Sequence, residues 1–183
     1  ALLQQPLQLG ATLSLTSTTK YINGHSDALG GVVCSDDPQW QQKMVFAQKA
    51  LGLQPSPFDA WLITRGIKTL PLRLERHIAN AAAIADQLAS HPRMHWVRYP
   101  FRLDHPQQAV ARKQMSGGGA IVTASLNADQ SQTYAFCKSL RYFTMAASLG
   151  GGESSVCHPA TVTHASGNHA VKRTLSHQKA RCG

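Results

Sequence analysis

Ser17, Thr19 and Lys20 are the residues of this chain whose types and spacing could do chemistry. A lysine amine condenses with a carbonyl to form an imine when it loses its proton easily and the carbonyl is held within reach. Hydroxyls beside such a lysine are short donors suited to a phosphate. Side chains alternate along the strand-like run Ala11 to Ser17, and continued alternation into the next turn puts Ser17 and Thr19 on one side. Together these residues fit a grip on a phosphorylated aldehyde. A solvated lysine at a strand end, beside hydroxyls that cap the strand, fits the tetrapeptide taken alone.

The flanking residues favour the chemical reading. Lys20-Tyr21-Ile22-Asn23-Gly24-His25-Ser26-Asp27, followed by Gly30-Gly31-Val32-Val33, resembles the cofactor-lysine segment of the cysteine/methionine metabolism family of pyridoxal-phosphate enzymes. Cystathionine γ-synthase, cystathionine γ-lyase and methionine γ-lyase belong to that family. Further blocks agree in order and spacing: Pro57-Phe58-Asp59-Ala60-Trp61 with Arg65-Gly66-Ile67-Lys68-Thr69-Leu70, then Arg73-Leu74-Glu75-Arg76-His77. The last runs from Ser148-Leu149-Gly150-Gly151-Gly152-Glu153-Ser154 into His158-Pro159-Ala160-Thr161. The likeness covers roughly residues 1 to 166, and ordered blocks are far more specific than one motif.

The resemblance implies an aspartate-aminotransferase-like α/β fold, the fold type I of pyridoxal-phosphate enzymes. Residues 1–70 would be the C-terminal part of its large cofactor-binding domain, 71–166 its small C-terminal α/β domain, and 167–183 a divergent basic tail. By the same resemblance, pyridoxal 5'-phosphate is the cofactor, Lys20 the lysine that joins it, and Ser17 and Thr19 its phosphate-binding hydroxyls. Ser148 would help to hold the substrate carboxylate. The implied activity is transsulfuration at the γ-carbon of small amino acids, by γ-replacement or γ-elimination, of the cystathionine γ-synthase or γ-lyase type. A homotetramer is the family's implied assembly. The alternatives are a methionine γ-lyase or homoserine-ester sulfhydrylase, or an inactive remnant that only folds and associates.

The departures from the family pattern are specific. Ala147 stands where cystathionine-handling members usually carry a glutamate suited to a distal ammonium group, although Gly150-Gly151 with Glu153-Ser154 resembles the cystathionine branch. The family's ring-binding aspartate, stacking tyrosine and glycine-rich phosphate cradle precede the lysine segment, so the sequence is expected to be the C-terminal part of such an enzyme. Negligible turnover by these residues alone is expected. Arg173 comes too soon after the His164-Ala165-Ser166 block, and without the apolar setting, to take the role of the family's carboxylate-binding arginine.

Composition narrows the other classes. The 183 residues are 43% hydrophobic, enough for an ordinary core. No apolar run approaches the roughly eighteen residues that cross a bilayer, and no signal-like start is present, so a cytoplasmic setting is expected. Cys34, Cys137, Cys157 and Cys182 lie far apart without a C-x-x-C pair and read as reduced thiols. His91 and His95 have helical spacing, but Pro92 lies between them and no metal is expected. A net charge of +9 raises the question of nucleic acid, yet the basic residues are dispersed and lack a recognition pattern. Such charge would draw anionic metabolites.

The elements that must position Lys20 follow from pattern. Leu13 to Ser17 and Leu29 to Cys34 read as short buried strands of a parallel sheet, with Tyr21 to Asp27 as the loop between them. Asp36-Asp37-Pro38 opens a helix that runs to about Leu51 and stops at Gly52, and another begins near Ser56. Leu74, Ile78, Ala81, Ala85 and Leu88 recur along one face of a helix of about five turns that ends before Pro92. Met94 to Tyr99 and Ala120 to Ala124 read as strands, His105 to Gln114 and Asp129 to Leu140 as helices. Within the loop, Tyr21, Asn23, His25 and Asp27 are read as residues that fix its shape, with Gly24 free to take a positive φ.

Overall fold

The computed structural model describes residues 2–159. The tail 167–183, with Arg173 and Cys182, and the His164-Ala165-Ser166 block lie outside the described residues. Strand β1 (Ser14–Ser17) pairs with β2 (Gly31–Cys34), Ser14 opposite Cys34 and Ser17 opposite Gly31. The pair is antiparallel, not parallel as the apolar runs predict. A parallel pair needs a crossover connection, whereas this chain turns back through the loop 18–30 with no intervening helix long enough to cross. Nor are the strands buried: Leu15 is 78% exposed, and no second layer covers both faces among the described residues.

The first helices form where their end signals place them. In α1 (Pro38–Leu51) the Asp37 carboxylate accepts from the Gln39 amide at 2.8 Å, and Gly52 at φ +67° ends the helix in the left-handed conformation. In α2 (Pro57–Gly66) Ser56 Oγ accepts from the Asp59 amide at 3.0 Å. A single 3₁₀ turn, Ile67–Thr69, then feeds α3 (Leu70–Ala89).

Helix α3 is the rod on which the molecule is assembled. Its apolar face, predicted from the heptad-like spacing, serves two clusters in succession. Leu70 and Leu74 bury against Ile22 of the lysine loop, with Leu3, Tyr21, Ile63 and Ile78 packed around them. Ala81 and Ala85 bury against Val97 and Tyr99 two to three turns further on. Twenty residues at 1.5 Å each make α3 about 30 Å long, which separates the clusters.

Strand β3 (Met94–Arg98) pairs antiparallel with β4 (Thr123–Leu126), with a bulge between Met94 and Trp96. Strand β4 starts three residues after Ala120, the predicted start. The residues before it are held elsewhere: the Tyr99 hydroxyl donates to the Gly119 carbonyl at 3.0 Å, and Gly119 turns at φ +79°. Helix α4 (Gln108–Gln114) begins after successive turns in which the His105 and Gln108 amides donate to the Arg102 and His105 carbonyls. Helix α5 (Gln130–Ser139) starts on a capping box, Asp129 with Gln132.

Two very short strands went unread in the sequence. β5 (Thr144–Met145) and β6 (Ser155–Val156) pair in parallel. Two residues are too few for a periodic signal. Their pairing nevertheless matters, because it closes the base of the loop that carries Ser148. Cys34, Cys137 and Cys157 are free thiols. Among the described residues no helix is long and apolar enough to cross a membrane.

Candidate active site

Lys20 sits in a wide helical turn, Thr18–Ile22, that interrupts the strand alternation directly after Ser17. The Asn23 amide donates to the Thr18 carbonyl at 3.0 Å and the Gly24 amide to the Lys20 carbonyl at 2.8 Å. Lys20 itself departs from helical geometry, at φ −92° and ψ −124°. Because the alternation ends there, Thr19 turns toward β2. Its hydroxyl accepts from the Gly30 amide at 3.0 Å and donates to the Gly30 carbonyl at 3.3 Å, closing the neck of the loop. Ser17 remains exposed. The Thr18 hydroxyl is buried without a partner.

The far side of the loop is braced as its residue types predict. Asn23, fully buried, donates from Nδ2 to Asp27 Oδ1 at 2.8 Å, and His25 Nδ1 donates to the Asn23 carbonyl at 2.7 Å. Gly24 takes φ +72°. These bonds order the loop locally. They leave the Asn23 side-chain oxygen without a partner.

Two distant segments grip the turn from outside. From α3, Arg73 Nη1 donates to the Tyr21 carbonyl at 2.8 Å, and Nη2 to the Ile22 carbonyl at 3.3 Å. One turn further along α3, the His77 ring meets the Tyr21 ring edge-on with centroids 6.0 Å apart. Gly66 packs so closely that a Cβ there would overlap the Asn23 carbonyl. On the other side, Gly150 at φ +85° lies against the backbone of Lys20 and Tyr21, where a Cβ would stand 2.8 Å from the Lys20 carbonyl carbon. That approach sets Lys20 Nζ to donate to Ser148 Oγ at 3.4 Å, across 128 residues of sequence. Ser26 Oγ adds a second link, to Glu153 Oε2 at 3.4 Å.

The surroundings shift nearby ionisable groups. Burial pushes the Tyr21 hydroxyl up and pulls the Arg73 guanidinium down from their ordinary values. Burial first, and the Arg73 charge second, hold His77 below its ordinary value of 6.5. Beside the turn opens a cleft of about 510 Å³ onto which Ser17, Lys20 and Tyr21 all face. Its other walls are mostly apolar, among them Leu70, Leu74, Pro100, Met115 and Ile121, with Gln4 and Thr16 also lining it.

The structure therefore brings Ser17 and Lys20 to one cleft and Ser148 within reach of the Lys20 amine, while the Thr19 hydroxyl is engaged with Gly30. Arg73, Gly66 and Gly150 emerge as residues to which the motif reading assigned no part. All three stand in the quoted motif blocks, but no local signal shows what they touch, because their partners lie far off in sequence. The described lysine turn and the loop 148–154 are two of the blocks that carry the resemblance.

Comparisons with known proteins agree with this placement. The chain is 46% identical over 164 residues to a cystathionine gamma-synthase of Mycobacterium bovis, a match that covers 90% of this chain and 42% of that one. It is 41% identical over 175 residues to a cystathionine beta-lyase of Coxiella burnetii, covering 95% of this chain and 45% of the relative. The crystal structure of cystathionine gamma synthase from Xanthomonas oryzae pv. oryzae in complex with cystathionine superposes with a TM-score of 0.89 at 47% identity. That superposition covers 93% of this chain and 44% of the other. The chain thus spans less than half the length of the relatives it matches. Since the Cys/Met metabolism PLP-dependent enzyme model also matches residues 1–180, around a lysine turn built as described, the chain belongs to that family of fold type I enzymes.

Proposed function

We propose that this chain supplies the lysine-bearing part of a pyridoxal-phosphate enzyme of transsulfuration, acting at the γ-carbon of sulfur amino acids in the manner of a cystathionine γ-synthase or γ-lyase. The observation that carries this reading is that Lys20 and the exposed Ser17 line one cleft, while the Lys20 amine donates to Ser148 Oγ, whose neighbour Leu149 lines the same cleft. The donor set fits a phosphorylated aldehyde: an amine for the carbonyl and a free hydroxyl for the phosphate. Thr19 is assigned to the phosphate as well, with its one proton taken over from the Gly30 carbonyl, to which it donates at 3.3 Å. Bound there, pyridoxal phosphate supplies an electron sink conjugated to the α-carbon of an amino acid.

The chain's own residues then have separable tasks. Lys20 Nζ would hold the cofactor, and its free amine would take and return protons at the substrate's α- and β-carbons. Ser148 Oγ orients that amine from 3.4 Å and offers a hydrogen bond to the substrate carboxylate. Tyr21, Asn23, His25 and Asp27 keep the turn in shape and are assigned no catalytic step.

The similarity to synthase and lyase sequences supports cystathionine, or a homoserine ester that yields it, as the substrate class. Likeness to a β-lyase makes the site of cleavage a specific alternative. The reading also carries a cytoplasmic setting, supported by the free thiols, and assembly into larger units, supported by exposed Phe46, Phe58 and Trp61. A division at residue 70, where α3 starts, into cofactor-binding and small domains belongs to the same reading.

Trapping tests it. Chain mixed with pyridoxal phosphate and reduced with borohydride should carry the pyridoxyl label on Lys20, and Lys20→Ala should abolish both the label and the aldehyde's colour change. A label spread over other lysines, unchanged in Lys20→Ala, defeats the assignment. With cystathionine as substrate for the full enzyme, 2-oxobutyrate marks cleavage at the γ-carbon and pyruvate marks the β-lyase alternative.

A further inference from the structure

We propose that Arg73 is a positioning residue for Lys20, its guanidinium capping in trans the carbonyl end of the turn that bears the lysine. The role rests on the reading of Lys20 as the cofactor lysine. A helical turn leaves its last carbonyls without partners inside the turn, and burial of such groups is costly. Here the Tyr21 and Ile22 carbonyls receive Arg73 Nη1 at 2.8 Å and Nη2 at 3.3 Å, from a side chain about fifty positions away. The Asn23 carbonyl lies at the edge of reach, 3.5 Å from Nη2.

The guanidinium is itself anchored at the base of α3. Nη2 donates to the Gly66 carbonyl at 2.8 Å and Nε to Thr69 Oγ1 at 2.9 Å. Thr69 in turn donates to the Gly66 carbonyl at 3.2 Å. Among the described residues Arg73 forms no ion pair, so its charge is spent on carbonyls and a hydroxyl. Such charge-assisted bonds are the stronger kind, and the planar fork spans several acceptors at once where a lysine ammonium is a single point.

Backbone is cleared for this contact on both sides. A Cβ at Gly24 would overlap Arg73 Nη1, and one at Gly66 would overlap the Asn23 carbonyl. Lys20 immediately precedes the first capped residue. Without the cap, the Tyr21 and Ile22 carbonyls would rotate toward water, and the Lys20 amine would lose its fixed line to Ser148 and the cleft. Arg73 is not among the residues that line the cleft and acts only through this backbone.

Arg73→Ala and Arg73→Lys test the role with two readouts. The first, without cofactor, is amide hydrogen exchange over residues 17–25, with residues 81–97 as a check that the rest stays folded. The second is the share of borohydride-fixed pyridoxyl label found on Lys20. Loss of several charge-assisted bonds predicts about tenfold faster exchange in the turn and about tenfold lower selectivity for Lys20 in Arg73→Ala. Low-millimolar guanidinium ion should restore both, sodium should not, and Arg73→Lys should lie between. Unchanged exchange and selectivity in Arg73→Ala overturn the proposal, as does a loosened turn that guanidinium fails to rescue. If Arg73→Ala fails to fold, Arg73→Lys with wild-type exchange and selectivity overturns it equally. An unaltered chain labelled elsewhere than on Lys20 overturns the cofactor reading, and the positioning role falls with it.

Discussion

Apolar packing holds both ends of α3, Leu70 and Leu74 against Ile22 and Ala81 and Ala85 against Val97, but only at its start is a polar clamp added. At its start, the lysine turn is fixed by hydrogen bonds to backbone and by glycines that admit other atoms: Arg73 on carbonyls, Gly66 against Asn23, Gly150 against Lys20. One to two turns from its end, Ala81 and Ala85 meet Val97 and Tyr99 in an apolar cluster whose polar tip, the Tyr99 hydroxyl, is satisfied by Gly119. Apolar packing tolerates exchange of similar shapes, because dispersion and burial are not directional. A polar clamp does not tolerate it. Its bonds require definite geometry, which suits a site where one amine must point one way.

Substitutions can break or sharpen that contrast. Gly66→Ala should have the largest effect, since its methyl would overlap a backbone carbonyl that cannot swing aside. A loss of about 3 kcal/mol in urea unfolding is expected, together with loss of selective Lys20 labelling. Val97→Ala, which empties a buried position only 3% exposed, should cost about 2 kcal/mol yet leave Lys20 labelling of the folded molecules unchanged. Equal loosening of residues 17–25 by both, measured by hydrogen exchange, would show one cooperative unit and erase the contrast.

Gly52→Ala lies in neither region. No atom crowds that position, and only the φ of +67° opposes a side chain, so about 1 kcal/mol of stability and no change in labelling are expected. The smallest effect concerns pH. His77 is held below 6.5 in the folded chain, chiefly by burial and then by Arg73, so the unfolded chain binds its proton more readily. Stability from neutral His77 is therefore present above pH 6.5 and is lost as pH falls through the depressed folded value. A urea midpoint that declines in that window in the native chain, but less in His77→Gln, is the expected result. An identical pH profile in the variant would remove His77 from the clamp.

Legibility in the sequence followed the range of each interaction. Helix α1 was readable at both ends, because Asp37, Pro38 and Gly52 each act on neighbouring backbone. The face of α3 was readable because Leu74, Ala81 and Ala85 repeat with the helix period. The pairing of β1 with β2 was misread: apolar composition resembles that of a buried parallel strand, and direction depends on how the loop 18–30 returns. Strands β5 and β6 were missed for want of length, although they fasten the Ser148 loop.

The candidate site divides along the same line. Lys20, Ser17, Thr19 and Ser148 were named from motif blocks, and the bracing by Asn23, His25 and Gly24 from their residue types. That Thr19 would turn to Gly30, while Ser17 stays open to the cleft, was hidden by the helical turn that ends the alternation at Ser17.

By itself the sequence determined both ends of α1, the inward face of α3, the lysine with its hydroxyl neighbours and, through its ordered blocks, the family. Those features are set by residue type and near neighbours, which a linear chain displays directly. Tertiary structure alone decided the direction of the lysine hairpin, the meeting of Lys20 with Ser148, and the grip of Arg73 on the Tyr21 and Ile22 carbonyls. Each joins groups separated by many residues, and an acceptor carbonyl looks the same at every position of a sequence until folding brings its donor within 3 Å or so.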